Sequence, residues 1–178
     1  MDATLIGIIL TFIVSSVSLY IGIKNSRKTI FINSITSSRI KYIQDLRNNI
    51  GEFCGLFYSY SLLKKDDPNL SSEKLRILET SDKLKYLIKL YLNPEDKEGD
   101  SKITQLIDEI RLSIDKNPKD KIDDLITISQ YLIKVEWERA KLESVKGILS
   151  EKEKEYLYKK YLHLYKNHLK EYNKVQTK

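Results

Sequence analysis

Apolar residues recur along this chain at three- and four-residue steps and nowhere in sustained alternation, so the pattern predicts helices and no sheet. Two regimes follow one another. From Ala3 to Ile23 no residue is charged, and Leu, Ile, Val and Phe dominate. From about Thr29 to Lys65 the apolar positions Ile32, Ile35, Ile43, Leu46, Ile50, Phe53, Phe57 and Tyr60 mark one stripe of a long amphipathic helix. Asp66-Asp67-Pro68 ends it. Ser71 or Ser72 can then cap a second helix carrying Leu75, Leu78, Leu84, Leu87 and Tyr91, which Asn93-Pro94 stops.

Residues 95–100 are polar, with no apolar side chain to bury, and predict an exposed loop. Ser101 follows as the cap of a short third helix, Ile103 to Ile114. After Asn117-Pro118 a fourth helix spans about Asp120 to Lys146. Its stripes, Ile122, Leu125, Leu132 and Val135 on one side and Ile126, Ile133, Trp137 and Ala140 on another, predict two packing neighbours. Gly147 suits a helix end, and Ser150-Glu151-Lys152-Glu153 is a capping box in which Ser150 and Glu153 satisfy each other's backbone. The fifth helix carries Leu157, Tyr161, Leu164, Tyr165 and Tyr172 and frays over Lys174 to Lys178.

The uncharged N-terminal run matches the roughly 20 apolar residues that a bilayer core requires. A secretory signal should begin with a basic segment, whereas Asp2 stands here, and no A-x-A cleavage site follows. A membrane span over residues 1–23 is therefore preferred to a signal sequence or a buried soluble helix. Lys24, Arg27 and Lys28 come directly after it. The positive-inside rule then places residues 24–178 in the cytoplasm, with Met1 and Asp2 outside, and predicts an inner-membrane, single-pass protein. Within the span, Thr4, Gly7, Thr11, Ser15, Ser18 and Gly22 succeed one another at steps of three or four. At about 100° per residue they share an arc roughly 80° wide. Small residues let helix backbones approach and hydroxyls bond across helices, which predicts self-association; Ser, Thr and Gly are also common in spans without any such role. Asn25, Thr29, Asn33 and Thr36 extend the stripe if the helix continues.

Composition changes this picture little. The 178 residues hold 31 Lys+Arg against 25 Asp+Glu. One cysteine, Cys54, cannot form an internal disulfide. Charge is uneven, however: residues 24–65 carry 8 basic and 2 acidic side chains, and residues 150–178 carry 8 and 4. Basic groups near the span favour anionic lipid headgroups. The run Tyr156 to Lys166 interleaves aromatic residues with Lys159, Lys160 and Lys166, a candidate basic binding surface for nucleic acid or an acidic protein, although an ordinary amphipathic helix shows the same pattern.

Candidate chemistry is sparse. His163 and His168 are five apart, on different helix faces, where helical metal pairs favour a spacing near four. Cys54 lies on an apolar stripe and predicts a small buried residue. No phosphate-binding glycine loop, dinucleotide fingerprint or nucleophile elbow occurs. The expectation is a protein with no catalytic residue, metal or cofactor, and Trp137 as a packing anchor.

The segment Arg39 to Arg47 is denser in signals. Lys41 and Asp45 can pair across one turn, while Arg39 and Arg47 project from nearly the same face as candidates for bundle or partner contact. Thr36, Arg39, Ile40, Tyr42, Ile43, Leu46 and Arg47 resemble the Thr-x-x-Arg-Ile-x-Trp-Ile-x-x-Leu-Arg helix of small, uncharacterised bacterial single-span membrane proteins. Tyr42 departs from that pattern by replacing Trp, and the likeness covers only residues 1–60. It implies a span, a helix after it and, for some such proteins, a membrane component of antiphage defence.

Together these features predict an all-α chain: one span continuing into a long helix, with four more helices folded against it as a cytoplasmic bundle. The function expected is non-enzymatic self-association in a lipid membrane, as a homo-oligomer. The alternative is a tethered helical adaptor for a protein partner, with nucleic acid disfavoured.

Overall fold

A computed structural model describes residues 3–63, 70–113 and 118–176, and the side chains of residues 4–63, 70–113 and 118–170. It contains five helices in the order α1 (Ala3–Leu62), α2 (Ser71–Tyr91), α3 (Gly99–Leu112), α4 (Lys119–Lys146) and α5 (Glu151–Gln176). No strand occurs among the described residues. The expected breaks at Asp66-Asp67-Pro68 and Asn117, with Ile114 and the Tyr172 side chain, lie outside what is described.

The first two expected segments are one helix. No proline interrupts residues 3–62, and Lys24, Arg27 and Lys28 are strong helix formers, so nothing in the sequence stops α1 where the apolar run ends. By length and composition α1 is able to cross a membrane, and none of its apolar N-terminal window is covered by the rest of the chain.

The core begins lower on α1. Ile43, Leu46, Ile50, Phe53, Cys54 and Phe57 are buried, and Phe53 and Phe57 pack with ring centroids 4.7 Å apart. Helix α1 packs chiefly against α2 and α4, while α4 also holds α3 and α5. Helix α4 thus has three packing neighbours, not two. Ile103, Leu106, Ile107 and Ile110 make α3 the most completely buried helix; each such side chain contributes about 1.5–3 kcal/mol on burial.

On α2 the buried face is Ile77, Ser81, Leu84 and Ile88, whereas the expected Leu75 is exposed and Leu78 and Leu87 are only partly covered. Ser81 tolerates burial because its hydroxyl donates to the Leu78 carbonyl at 2.8 Å. Neither Ser71 nor Ser72 caps α2: both lie inside the helix, and Leu70 precedes it without a side-chain cap. Ser101 is not a cap either, since α3 already begins at Gly99. Asp96 accepts the backbone N–H groups of Glu98 and Gly99 at 2.9 and 3.2 Å and so performs the capping expected of Ser101. The box at Ser150 forms as its spacing predicts, with the Ser150 N–H donating to Glu153 Oε2 at 3.0 Å and the Glu153 N–H reaching Ser150 Oγ at 3.4 Å. Gly147 ends α4 at φ 90°, a conformation that side-chain-bearing residues rarely adopt.

Candidate functional site

Three surfaces carry the candidate residues. The first is the uncovered N-terminal half of α1. Thr4, Gly7, Ile8, Thr11, Phe12 and Ser15 line a shallow groove along it. A Cβ added at Gly7 or Gly22 would meet nothing within 4 Å, so a neighbouring helix has open access to both. Thr11 Oγ1 donates back to the Gly7 carbonyl at 2.9 Å, which satisfies the hydroxyl within the helix and leaves its methyl group outward. Because α1 is continuous, Asn25, Thr29 and Asn33 extend the exposed stripe, whereas Thr36 on the same side is partly buried with its hydroxyl covered.

The second is a cleft of about 850 Å³ between α1, the end of α2, the α2–α3 connection, α4 and the start of α5. Arg39 crosses it as a fork, with Nε donating to Glu143 Oε2 at 2.9 Å and Nη2 to Glu143 Oε1 at 3.1 Å, and Nη1 bonding Glu136. Arg139 bonds Glu136 from the other side. Burial works against the Arg39 charge, but Glu136 and Glu143 outweigh it and hold the guanidinium above its ordinary range. Arg39 is accordingly a bundle contact, joining α1 to α4.

Across the cleft, the Tyr158 hydroxyl lies 2.8 and 2.7 Å from the two Asp96 oxygens and accepts the Gly99 N–H at 3.0 Å. Residues 95–100 are consequently not a free loop: Gly99 is buried, and a Cβ there would come within 2.9 Å of both Leu132 Cδ2 and Tyr158 Oη. The polarity of this stretch concealed a docking point made by the absence of a side chain. Burial opposes ionisation of Asp96, but bonds from the Glu98 N–H, Tyr158 and neighbouring N–H groups outweigh it and lower its pKa. Asp100 is pushed up to about 6, first by burial and then by the charges of Asp96 and Glu136, against a bond from the Asn93 N–H. Tyr42 also lines the cleft and donates to the Tyr91 carbonyl at 3.2 Å.

The third surface is an apolar groove between α1 and α4 lined by Arg47, Ile50, Gly51, Ile126, Ile133 and Trp137 among others. Arg39 and Arg47 therefore serve different surfaces, since eight positions at about 100° each leave them some 80° apart. Trp137 is 40 % exposed here, with Lys141 Nζ 5.9 Å from its ring centroid, so it is a half-open wall instead of a buried anchor. The Lys41–Asp45 pair does not form among the described ion pairs; the Tyr91 hydroxyl donates to Asp45 at 3.3 Å.

The remaining candidates are dispersed. Lys159 pairs with Glu155 at 2.6 Å, Lys166 with Glu98 at 2.5 Å, and Lys160 lies 5.5 Å from the Tyr161 ring centroid. Two of the three cations of the basic surface are thus locally compensated. His163 contacts Asn167 at 3.0 Å, and His168 stands 6.4 Å from the Tyr131 ring centroid. No group of three metal-ligating side chains occurs among the described residues. Cys54 is 6 % exposed, and burial pushes its thiol up to about 12, away from nucleophilic chemistry.

No family model matches this chain, and no curated protein or solved structure matches it either. The pattern Thr36 to Arg47 therefore stands on its own residues.

Proposed function

We propose that this chain is a single-pass membrane protein that self-associates through the small-residue stripe of its span, its cytoplasmic helices acting as the assembled head. The observation that carries this reading is the open groove at Thr4, Gly7, Thr11 and Ser15 on an otherwise apolar, uncovered helix. In lipid, apolar surfaces alone give helices no preference for each other, so close backbone approach and interhelical bonds decide association. Lys24, Arg27 and Lys28 support an orientation with the helical head inside the cell. Assembly of such spans would act on the membrane itself, the setting that the resemblance to defence components suggests.

The test is the mass of the full chain in nanodiscs or mild detergent, beside Gly7→Leu and Ser15→Leu. Self-association through the stripe predicts a multimer that both variants weaken while their helical circular dichroism persists. Oligomers unchanged in both would remove the stripe, and a monomeric parent chain would reduce the span to a tether.

A further inference from the structure

We infer that the α4–α5 turn, Val145 to Ser150, is a second membrane contact that rests on the bilayer surface beside the span. The inference depends on α1 crossing the membrane, as proposed above, but not on self-association.

Helix α4 runs antiparallel to α1. Glu143 meets Arg39, and the site of a Cβ on Gly147 lies 3.8 Å from Ile32 Cδ1, so the turn is held at the level of Ile32. Nine residues separate Ile32 from Ile23, the last of the uncharged run, which is about 13 Å along an unbroken helix. The headgroup layer on one side of a bilayer occupies about 5–8 Å of that, leaving a gap comparable to a side chain.

The turn presents the right surface to close that gap. Leu149 folds inward at 2 % exposure, whereas Val145 is 83 % and Ile148 65 % exposed. Apolar exposure also continues along α1 past its first basic residues, with Ile30 and Phe31 at 66 % and 53 %. This gives an apolar level between Lys28 and the head, with Lys24, Arg27 and Lys28 above it. Lys146 is shared with Glu153 at 3.2 Å and Lys154 with Glu151 at 2.6 Å, so the turn offers no surplus of positive charge and the apolar pair carries the contact. Asp96 and Asp100 are set further back, lining the cleft with Tyr42 more than two turns beyond Ile32, whereas Glu151 and Glu153 follow the turn directly and are paired with Lys154 and Lys146.

The experiment places single cysteines in the full chain, in a Cys54→Ala background, at Ile13 in the span, Ser144 beside the turn and Leu112 at the far end of α3. Each is labelled with a fluorophore in nanodiscs of mixed zwitterionic and anionic phospholipid. Nitroxide is carried on the acyl chain in one set and on the headgroup in another. The contact predicts that acyl-chain nitroxide quenches the Ile13 label, that headgroup nitroxide removes most of the Ser144 emission, and that the Leu112 label keeps its own. Val145→Glu with Ile148→Glu should restore part of the Ser144 emission with circular dichroism unchanged, since α1 still holds the turn near the headgroups once the apolar contact is gone; quenching identical to the parent's would overturn the contact. A quenched Ile13 label beside an unquenched Ser144 label would overturn the contact and leave the span standing. An unquenched Ile13 label would overturn both.

Discussion

Arg39 on α1 donates to both oxygens of Glu143 on α4, a residue 104 positions later whose side chain is only 4 % exposed. A buried carboxylate is costly without its partner, so the pair is better described by what its loss does than by what its presence adds. Arg39→Ala should destabilise the head by about 3 kcal/mol, since Glu143 would be left beside Glu136 without a counter-charge. Arg39→Lys should lose less but not recover, because an ammonium cannot reproduce the fork. Thermal unfolding in nanodiscs checks both; a change within about 0.5 kcal/mol, the usual effect of a surface substitution, would show that the fork is dispensable.

Asp100 sets a pH dependence. Its carboxyl is raised to about 6 in the folded chain by burial and by Asp96 and Glu136. The folded state therefore keeps at Asp100 a proton that the unfolded chain releases near pH 4, and the contribution of Asp100 to stability falls as pH rises from about 4 to about 6. Asp100→Asn retains an acceptor for the Asn93 N–H and removes the charge. It should be more stable than the parent by about 1 kcal/mol at pH 7.5, allowing for partial exposure, with the difference vanishing below about pH 4. Equal stabilities at both pH values would contradict this assignment.

Gly99→Ala tests the docking of the α2–α3 connection. The new methyl would press on Leu132 Cδ2 and Tyr158 Oη, both at 2.9 Å. Tyr158 can swing away, but only by giving up Asp96, so the expected loss is about 1–3 kcal/mol. Adding Tyr158→Phe should then cost less than it does alone, because its hydrogen bonds are already gone, and a double-mutant cycle measures that coupling.

Cys54 should react with a bulky maleimide only as fast as the head opens. Its burial and raised pKa both withhold the thiolate. Rapid labelling of the folded chain under non-denaturing conditions would place this part of α1 on the surface instead.

Much of the helical layout was legible because it is local. The 3.6-residue period marks α4 to within a residue, and Ser150 and Glu153 sit three apart, so their mutual capping is visible in the chain. The face of α2 was legible in part: Leu84 is in the core and Leu78, Leu87 and Tyr91 pack against it, but leucines are plentiful around the helix, and only tertiary packing brings in Ile77 and Ile88 and leaves Leu75 in solvent. The cleft was illegible for a different reason. Arg39 finds Glu136 and Glu143, and Tyr158 finds Asp96, across separations that no local pattern encodes. The clues were Gly99, one of only six glycines, and an Asp three positions before it, both discounted because polar stretches commonly face solvent.

The continuity of α1 has a mechanical meaning. Sixty residues without a proline form a shaft about 90 Å long, with no joint where it leaves the apolar segment. Rotation of its upper end must appear as the same rotation of the helices clamped to its lower end. A tilt of about 10° pivoting at Ile23 would swing Leu62 sideways by about 10 Å, since some 58 Å of helix lies between them. An event that reorients the N-terminal segment is thereby carried along one continuous helix to the elements packed on its lower half.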